Sequence, residues 1–180
     1  MDRDGIIVKN INGIAPMKPS EMELISESIP LIKKFQKSGY KIFIVSNQPD
    51  AALGIINETT KKALVKKFKD LLKNNDLTLD GIYYCFHHPK GVVKKYTKDC
   101  DCKKPKPGLL LKAIHNHRIN PKGSFIIGDR ASDIKAGGLA GVKTILLDPE
   151  NSENFYLQEY GVKPDFVIKT LSEALNIIKS

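Results

Sequence analysis

The chain has 180 residues, 41% hydrophobic and 27% charged, which suits one globular domain with a sizeable core and excludes a disordered chain or one with a membrane span. Net charge is +9, from 29 Lys+Arg against 20 Asp+Glu, but Lys61, Lys62, Lys66, Lys67 and Lys69 read as one solvated helix surface, so charge alone does not make nucleic acid an expected partner. The three cysteines are odd in number and clustered, and Met1 is followed at once by charges; both argue against a secreted disulfide framework and for the cytoplasm.

Met1-Asp2-Arg3-Asp4-Gly5 opens the chain. In an extended segment alternate side chains share a face, so Asp2 and Asp4 can enter one site, and Gly5 lets the backbone turn after them. Ile6 to Lys18 reads as a loop. Ser28-Ile29-Pro30 opens a helix with proline in its first turn, and Gly39 stops it. Lys41 to Ser46 is a short apolar, β-branched run, expected as a buried parallel strand that Asn47-Gln48-Pro49-Asp50 breaks. Thr59 or Thr60 is the expected cap of a second helix reaching about Asn74, with Leu64, Val65, Phe68, Leu71 and Leu72 as its apolar stripe.

Gly81 to Tyr84 is the next strand, and Cys85 to Pro107 a basic loop without periodicity. A third helix follows Pro107-Gly108. Ser124 to Ile127 is a strand stopping at Gly128-Asp129, Ser132 to Ala140 a short helix, and Lys143 to Leu147 another strand. Phe155 to Tyr160 reads as a helical turn, Phe166 to Ile168 as a last strand, and Leu171 to Lys179 as a closing helix. Strands alternating with helices predict a doubly wound α/β fold with a mostly parallel sheet, a single domain over 1–180. Functional groups then gather at the carboxyl ends of the strands.

Those ends carry chemistry. Asp2, Asp4, Ser46, Asn47, Lys104, Asp129 and Asp133 supply carboxylates suited to Mg²⁺, and a hydroxyl and a lysine suited to phosphate oxygens. Together they form an electrostatic clamp for phosphoryl transfer.

The order Asp-x-Asp-Gly, Ser-Asn-Gln after a strand, Lys-Pro before a helix, then Gly-Asp-x-x-x-Asp resembles the haloacid dehalogenase superfamily of phosphohydrolases. Val45-Ser46-Asn47-Gln48, the stretch from Gly81 to Pro89, Cys100-Asp101-Cys102-Lys103-Lys104-Pro105 and Pro107-Gly108 resemble the D-glycero-D-manno-heptose 1,7-bisphosphate 7-phosphatases. The resemblance implies a Rossmann-like core without a large cap, and a Mg²⁺-dependent phosphatase for a phosphorylated sugar. Asp2 is then the nucleophile and Asp4 the acid and base. Asp2, the Asp4 backbone carbonyl and Asp129 would hold Mg²⁺, and Ser46 and Lys104 the phosphoryl group. Asp133 is expected to hold a metal-bound water or to position Lys104. Asn47, Lys103 and Arg130 are expected at the substrate.

Cys85-x-His87 and Cys100-x-Cys102 offer three sulfurs and one nitrogen, a full tetrahedral set for a structural zinc that would order a loop (85–107) with little core of its own. The resemblance makes His87 the ligand and leaves His88 spare. It also implies a buried central strand ending at the nucleophile. Only Met1 precedes Asp2 here, so the expectation is that this start is an internal methionine or a truncated record. Ile6 replaces the family's usual threonine, and Leu53 the arginine of an arginine-glycine pair. Histidinol-phosphate phosphatase is the alternative substrate class, and a non-catalytic zinc-stabilised binding module the alternative of another kind. A monomer is expected.

Overall fold

The computed structural model describes residues 1–179. Its strands are β1 (Phe43–Asn47), β2 (Gly81–Cys85), β3 (Phe125–Gly128), β4 (Lys143–Leu147) and β5 (Phe166–Ile168). Its helices are α1 (Ser28–Lys37), α2 (Glu58–Asn74), α3 (Gly108–His117), α4 (Ala131–Ala140), α5 (Asn154–Tyr160) and α6 (Ala174–Lys179), the last preceded by a 3-10 turn at Leu171–Glu173. Strand β1 pairs parallel with β2, and β3–β4–β5 form a second parallel set.

Met1 and Asp2 join the two sets. The Met1 amino group donates to the Phe43 carbonyl (2.8 Å), and Val45 N–H donates to the Met1 carbonyl (3.0 Å). Asp2 N–H donates to the Ile127 carbonyl at 2.9 Å. One residue pair therefore spans β1 and β3, giving the spatial order β2, β1, Met1-Asp2, β3, β4, β5. Behind Met1 the facing edges separate around a cleft of about 400 Å³, lined by Tyr40, Phe43, Val45, Leu110, Phe125 and Ile127 among others.

Alternation along the strands sorts the core into two layers. Ile44, Ile127 and Ile145 face one way and bury against Leu31, Ile32 and Phe35 of α1, Leu64, Phe68 and Leu72 of α2, and Ile178 of α6. Val45 and Ile126 face the other way, against Leu109 and Leu110 of α3 and Ala136 and Ala140 of α4. Helices thus cover both faces, the doubly wound arrangement that near-continuous apolar strands require.

Local chemistry sets the boundaries. Helix α2 is capped by Asn57, whose side chain accepts from Thr60 N–H at 2.8 Å, so the cap lies two residues before Thr59 and three before Thr60, the caps that the sequence suggested. Helices α4 and α5 end on left-handed glycines, Gly141 and Gly161. The segment from Ile6 to Lys18 has no regular element, yet Ile6, Ile7 and Val8 are fully buried in the larger core cluster. Among the described residues no helix is long and apolar enough to cross a membrane.

Candidate active site and metal centres

The carboxyl ends of Met1-Asp2, β1 and β3 meet at one point, where Asp2, Ser46 and Asp129 are brought together by topology. Carboxylate oxygens of Asp2, Asp129 and Asp133 lie within 4.8 Å of one another. Lys104 enters from the loop before α3. Its Nζ is 2.9 Å from Asp2 Oδ1 and 2.5 Å from Asp133 Oδ1, and it donates to the Val45 carbonyl at 2.9 Å. All three of its donors are therefore used. Burial opposes the charge on Lys104, but Asp133 and Asp2 more than offset it, and the ammonium stays protonated.

Asn47 holds that lysine in place. Its amide accepts from Lys104 N–H at 3.0 Å and donates to the Lys104 carbonyl at 2.9 Å. Expected at the substrate, Asn47 instead commits its amide to the Lys104 backbone. Asp133 is fully buried in the first turn of α4, where its Oδ2 accepts from Arg130 N–H at 3.3 Å.

Two glycines are fixed by this crowding. Gly5 has φ of +77°, and a Cβ there would lie 2.0 Å from Asp129 Oδ2. A Cβ on Gly128 would lie 2.4 Å from the Asp133 side chain.

The electrostatics call for a cation. Burial, then the Asp2 and Asp133 charges, push the Asp129 pKa from 3.8 to about 7. Burial raises Asp133 to about 6 against the pull of Lys104. Three carboxylates with one shared ammonium leave negative charge unbalanced, and their hard oxygens are the donor type that Mg²⁺ prefers.

The chain bends at Arg3, so Asp2 and Asp4 are not alternate residues of a straight strand. Asp2 Oδ1 accepts from Arg3 N–H at 2.7 Å. Asp4 turns instead to the Arg3 guanidinium and to Gln48, and burial raises its pKa despite Arg3. Ser46 is buried at the end of β1, its Oγ accepting from Gln48 Nε2 at 3.0 Å. Arg130 is half exposed at the rim, 3.8 Å from Asp129 and 3.6 Å from Glu153, and donates to the Gly13 carbonyl at 3.2 Å. Lys103 makes no ion pair among the described residues; its charge is felt at His88, whose pKa burial and that charge lower.

Arg3, Gln48 and Asn10 were given no site role in the sequence, although Gln48 belongs to the Ser-Asn-Gln motif and Arg3 to the opening stretch. Asn10 Nδ2 lies 3.5 Å from Asp129 Oδ2. An arginine between two aspartates in a segment that must be buried carried a signal, because a buried guanidinium needs a carboxylate partner. Asn10, in a loop without periodicity, carried none.

The second centre lies at the end of β2. Cys85, His87, Cys100 and Cys102 place one ligand atom each within 4.8 Å of the others. Sulfur–sulfur distances are 3.1 Å from Cys102 to Cys85 and to Cys100, and 3.6 Å between Cys85 and Cys100. His87 Nδ1 is 3.3 Å from Cys102 Sγ. Tetrahedral zinc with Zn–S bonds of about 2.3 Å would separate sulfurs by about 3.8 Å, so a small outward shift admits the ion. Burial raises the Cys85 and Cys102 thiols; for Cys100 burial is outweighed by hydrogen bonds from the other two, and its pKa falls. His88 stays outside the group, its Nδ1 accepting from Lys90 N–H at 3.1 Å.

Residues 101–174 match the HAD-hydrolase-like family model. The D-glycero-beta-D-manno-heptose-1,7-bisphosphate 7-phosphatase of Pasteurella multocida is 34% identical over 99% of this chain and 95% of its own length. The alpha-named counterpart of Photorhabdus laumondii is 36% identical over 82% of this chain and 79% of its own. Among solved structures, a HAD-like phosphatase from Mesorhizobium loti superposes with a TM-score of 0.81 at 27% identity, covering 99% of this chain and 82% of that one. The D,D-heptose 1,7-bisphosphate phosphatase of B. bronchiseptica, complexed with magnesium and phosphate, gives a TM-score of 0.80 at 22% identity, covering 99% and 96%.

Proposed function

We propose, for a chain that belongs to the haloacid-dehalogenase-like phosphatases and within them to the heptose-bisphosphate phosphatase family, that it removes the 7-phosphate from D-glycero-D-manno-heptose 1,7-bisphosphate. One observation carries the reading: Asp2, Asp129, Asp133 and Lys104 converge at the strand ends of a chain that matches such a phosphatase over nearly its whole length. Such an enzyme would serve nucleotide-heptose synthesis for surface polysaccharide. Its three thiols are free, as in a reducing cytoplasm, and one chain carries every reacting group, as a monomer requires.

Asp2 and Asp129, with the Asp4 backbone carbonyl, would hold Mg²⁺, and Asp133 lies beside them. The ion would neutralise the phosphate and the crowded carboxylates when bound. Cys85, His87, Cys100 and Cys102 would hold a structural zinc that ties β2 to the loop before α3.

Asp2 Oδ1 accepts from Arg3 N–H and Lys104, contacts that hold the carboxylate in place, and one of its oxygens attacks phosphorus. As the new P–O bond forms, the P–O bond to the sugar breaks, and Asp4 gives its proton to the leaving oxygen. Burial raises the Asp4 pKa, which favours that protonated form. Water then attacks the aspartyl-phosphate, its proton goes to Asp4, and Asp2 is released. Ser46 holds a phosphoryl oxygen meanwhile, and Lys104 does the same by giving up one of its three present acceptors. Lys103 and Arg130 take the sugar hydroxyls or second phosphate, their charge standing in for the arginine that Leu53 replaces.

Phosphate release from both anomers of heptose 1,7-bisphosphate and from histidinol phosphate, with Mg²⁺ and with chelator, tests this. The expected result is Mg²⁺-dependent release from the heptose at its 7-position, abolished in Asp2→Asn. Preference for histidinol phosphate, or no turnover of either by folded, zinc-loaded protein, would refute it.

A further inference from the structure

Arg3 leads the fully buried side chains in size, at 1% exposure, and the mechanism above uses only its backbone N–H. Its guanidinium grips Asp4 at two points, Nε to Oδ1 at 3.0 Å and Nη2 to Oδ2 at 3.0 Å. Nη2 also donates to Gln48 Oε1 at 2.7 Å, and Gln48 Nε2 donates back to Asp4 Oδ2 at 2.6 Å and to Ser46 Oγ at 3.0 Å. Arg3, Asp4 and Gln48 therefore close a ring in which each touches the other two, and Ser46 hangs from it. The guanidinium carbon sits 5.9 Å from the Phe68 ring centre and 5.7 Å from that of Tyr84.

We infer that Arg3 is a positioning residue that acts through Asp4, fixing the carboxyl group that must meet the leaving sugar oxygen. The inference rests on the proposed role of Asp4 as the acid.

Three observations support it. Asp4 sits at the entrance of a turn that Gly5 makes at φ +77°, where a short side chain has no helix or strand to fix its rotamer. The arginine fork supplies that constraint, because two parallel N–H donors fix a carboxylate in position and in plane, as a lysine point charge does not. A buried ion pair is also a poor way to gain stability, since apolar side chains of like volume commonly do as well, so the charge at this position points to orientation. Ser46 is held by Gln48 and not by the guanidinium, so Arg3 bears directly on the acid and only at one remove on the hydroxyl. A misplacement of about 1 Å in such a group can cost about 10²-fold in rate.

First-turnover cleavage rates, measured by rapid quench, test this on two esters. The heptose phosphate needs a proton on its leaving oxygen; 4-nitrophenyl phosphate does not. Arg3→Lys keeps the buried charge and loses the fork, and Arg3→Met loses both; thermal melting confirms that each variant compared is folded, and Arg3→Lys carries the test if Arg3→Met does not fold. Arg3→Lys is expected to slow sugar-ester cleavage about 10–10²-fold and nitrophenyl-ester cleavage less than about 3-fold, with KM little changed. In an Asp4→Asn background the same change is expected to add no further loss, the mark of two residues acting as one unit. Equal loss on both esters, or a full additional loss in the Asp4→Asn background, would show Arg3 to be a structural residue and overturn the inference. If Asp4→Asn alone slows both esters equally, Asp4 is not the acid, and that reading fails before the inference about Arg3 is reached.

Discussion

A short apolar, β-branched segment fused ahead of Met1 is expected to stabilise the protein, and by more at pH 5 than at pH 8. The Met1 amino group is buried between β1 and β3, donating to the Phe43 carbonyl. Burial, with Lys104 nearby, lowers its pKa from 8.0 to about 5. The folded state therefore prefers the neutral amine. That preference is fully expressed above pH 8 and lost as pH falls toward 5. With one proton per chain at stake, the 180-residue chain gives up on the order of 1 kcal/mol by pH 7 and a few kcal/mol by pH 5. A peptide bond at this nitrogen keeps the hydrogen bond to Phe43 and removes the charge. The added side chains would enter the cleft of about 400 Å³ and alternate toward the two core layers. Each buried Val or Ile contributes about 1.5–3 kcal/mol, offset by about 1–2 kcal/mol of backbone order per residue, so the pH-dependent part is the sharper test. Urea unfolding of both chains at pH 5, 6, 7 and 8 measures it. The stability difference should widen by on the order of 1 kcal/mol for each unit of acidification between pH 8 and 5. Parallel stability–pH curves would refute the reasoning.

Other consequences are equally direct. Zinc should bind at one equivalent per chain, and Cys100→Ser or a strong chelator should abolish binding and lower the melting temperature by several degrees, read by metal analysis and calorimetry. Because Asp129 takes up a proton near pH 7, protons and Mg²⁺ compete for it; Mg²⁺ affinity by titration calorimetry should fall up to tenfold per pH unit below 7 and level off above it. Gly5→Ala forces a Cβ against Asp129 and a left-handed backbone costing about 1–2 kcal/mol, so Mg²⁺ affinity and kcat/KM should both drop about tenfold or more in protein that still melts cooperatively.

The periodicity of apolar residues was enough to place every strand and most helix boundaries, because two covered sheet faces demand near-continuous Ile and Val runs such as Phe43–Val45 and Ile126–Ile127. The cysteine–histidine group was equally legible, since few structural roles other than metal binding bring such residues to one loop at that spacing. Less legible were partners set by tertiary contact. Asn47 follows a strand like any turn residue, and only its approach to the Lys104 backbone shows what its amide does. Arg3 and Gln48 are 45 residues apart, and local pattern does not encode their hydrogen bond. The bend at Arg3, beside which Asp4 turns to the guanidinium and Gln48 rather than alternating with Asp2, is likewise not encoded in the Asp-x-Asp spacing.

The central claim is that Asp2 becomes covalently phosphorylated during turnover. Rapid acid quench of the enzyme mixed with heptose 1,7-bisphosphate and Mg²⁺, followed by peptide mass mapping, measures this most directly. The account predicts one phosphoryl group on the peptide carrying Asp2, absent without Mg²⁺ and absent in Asp2→Asn. Phosphate release that proceeds with no phosphorylated peptide and survives Asp2→Asn would contradict it.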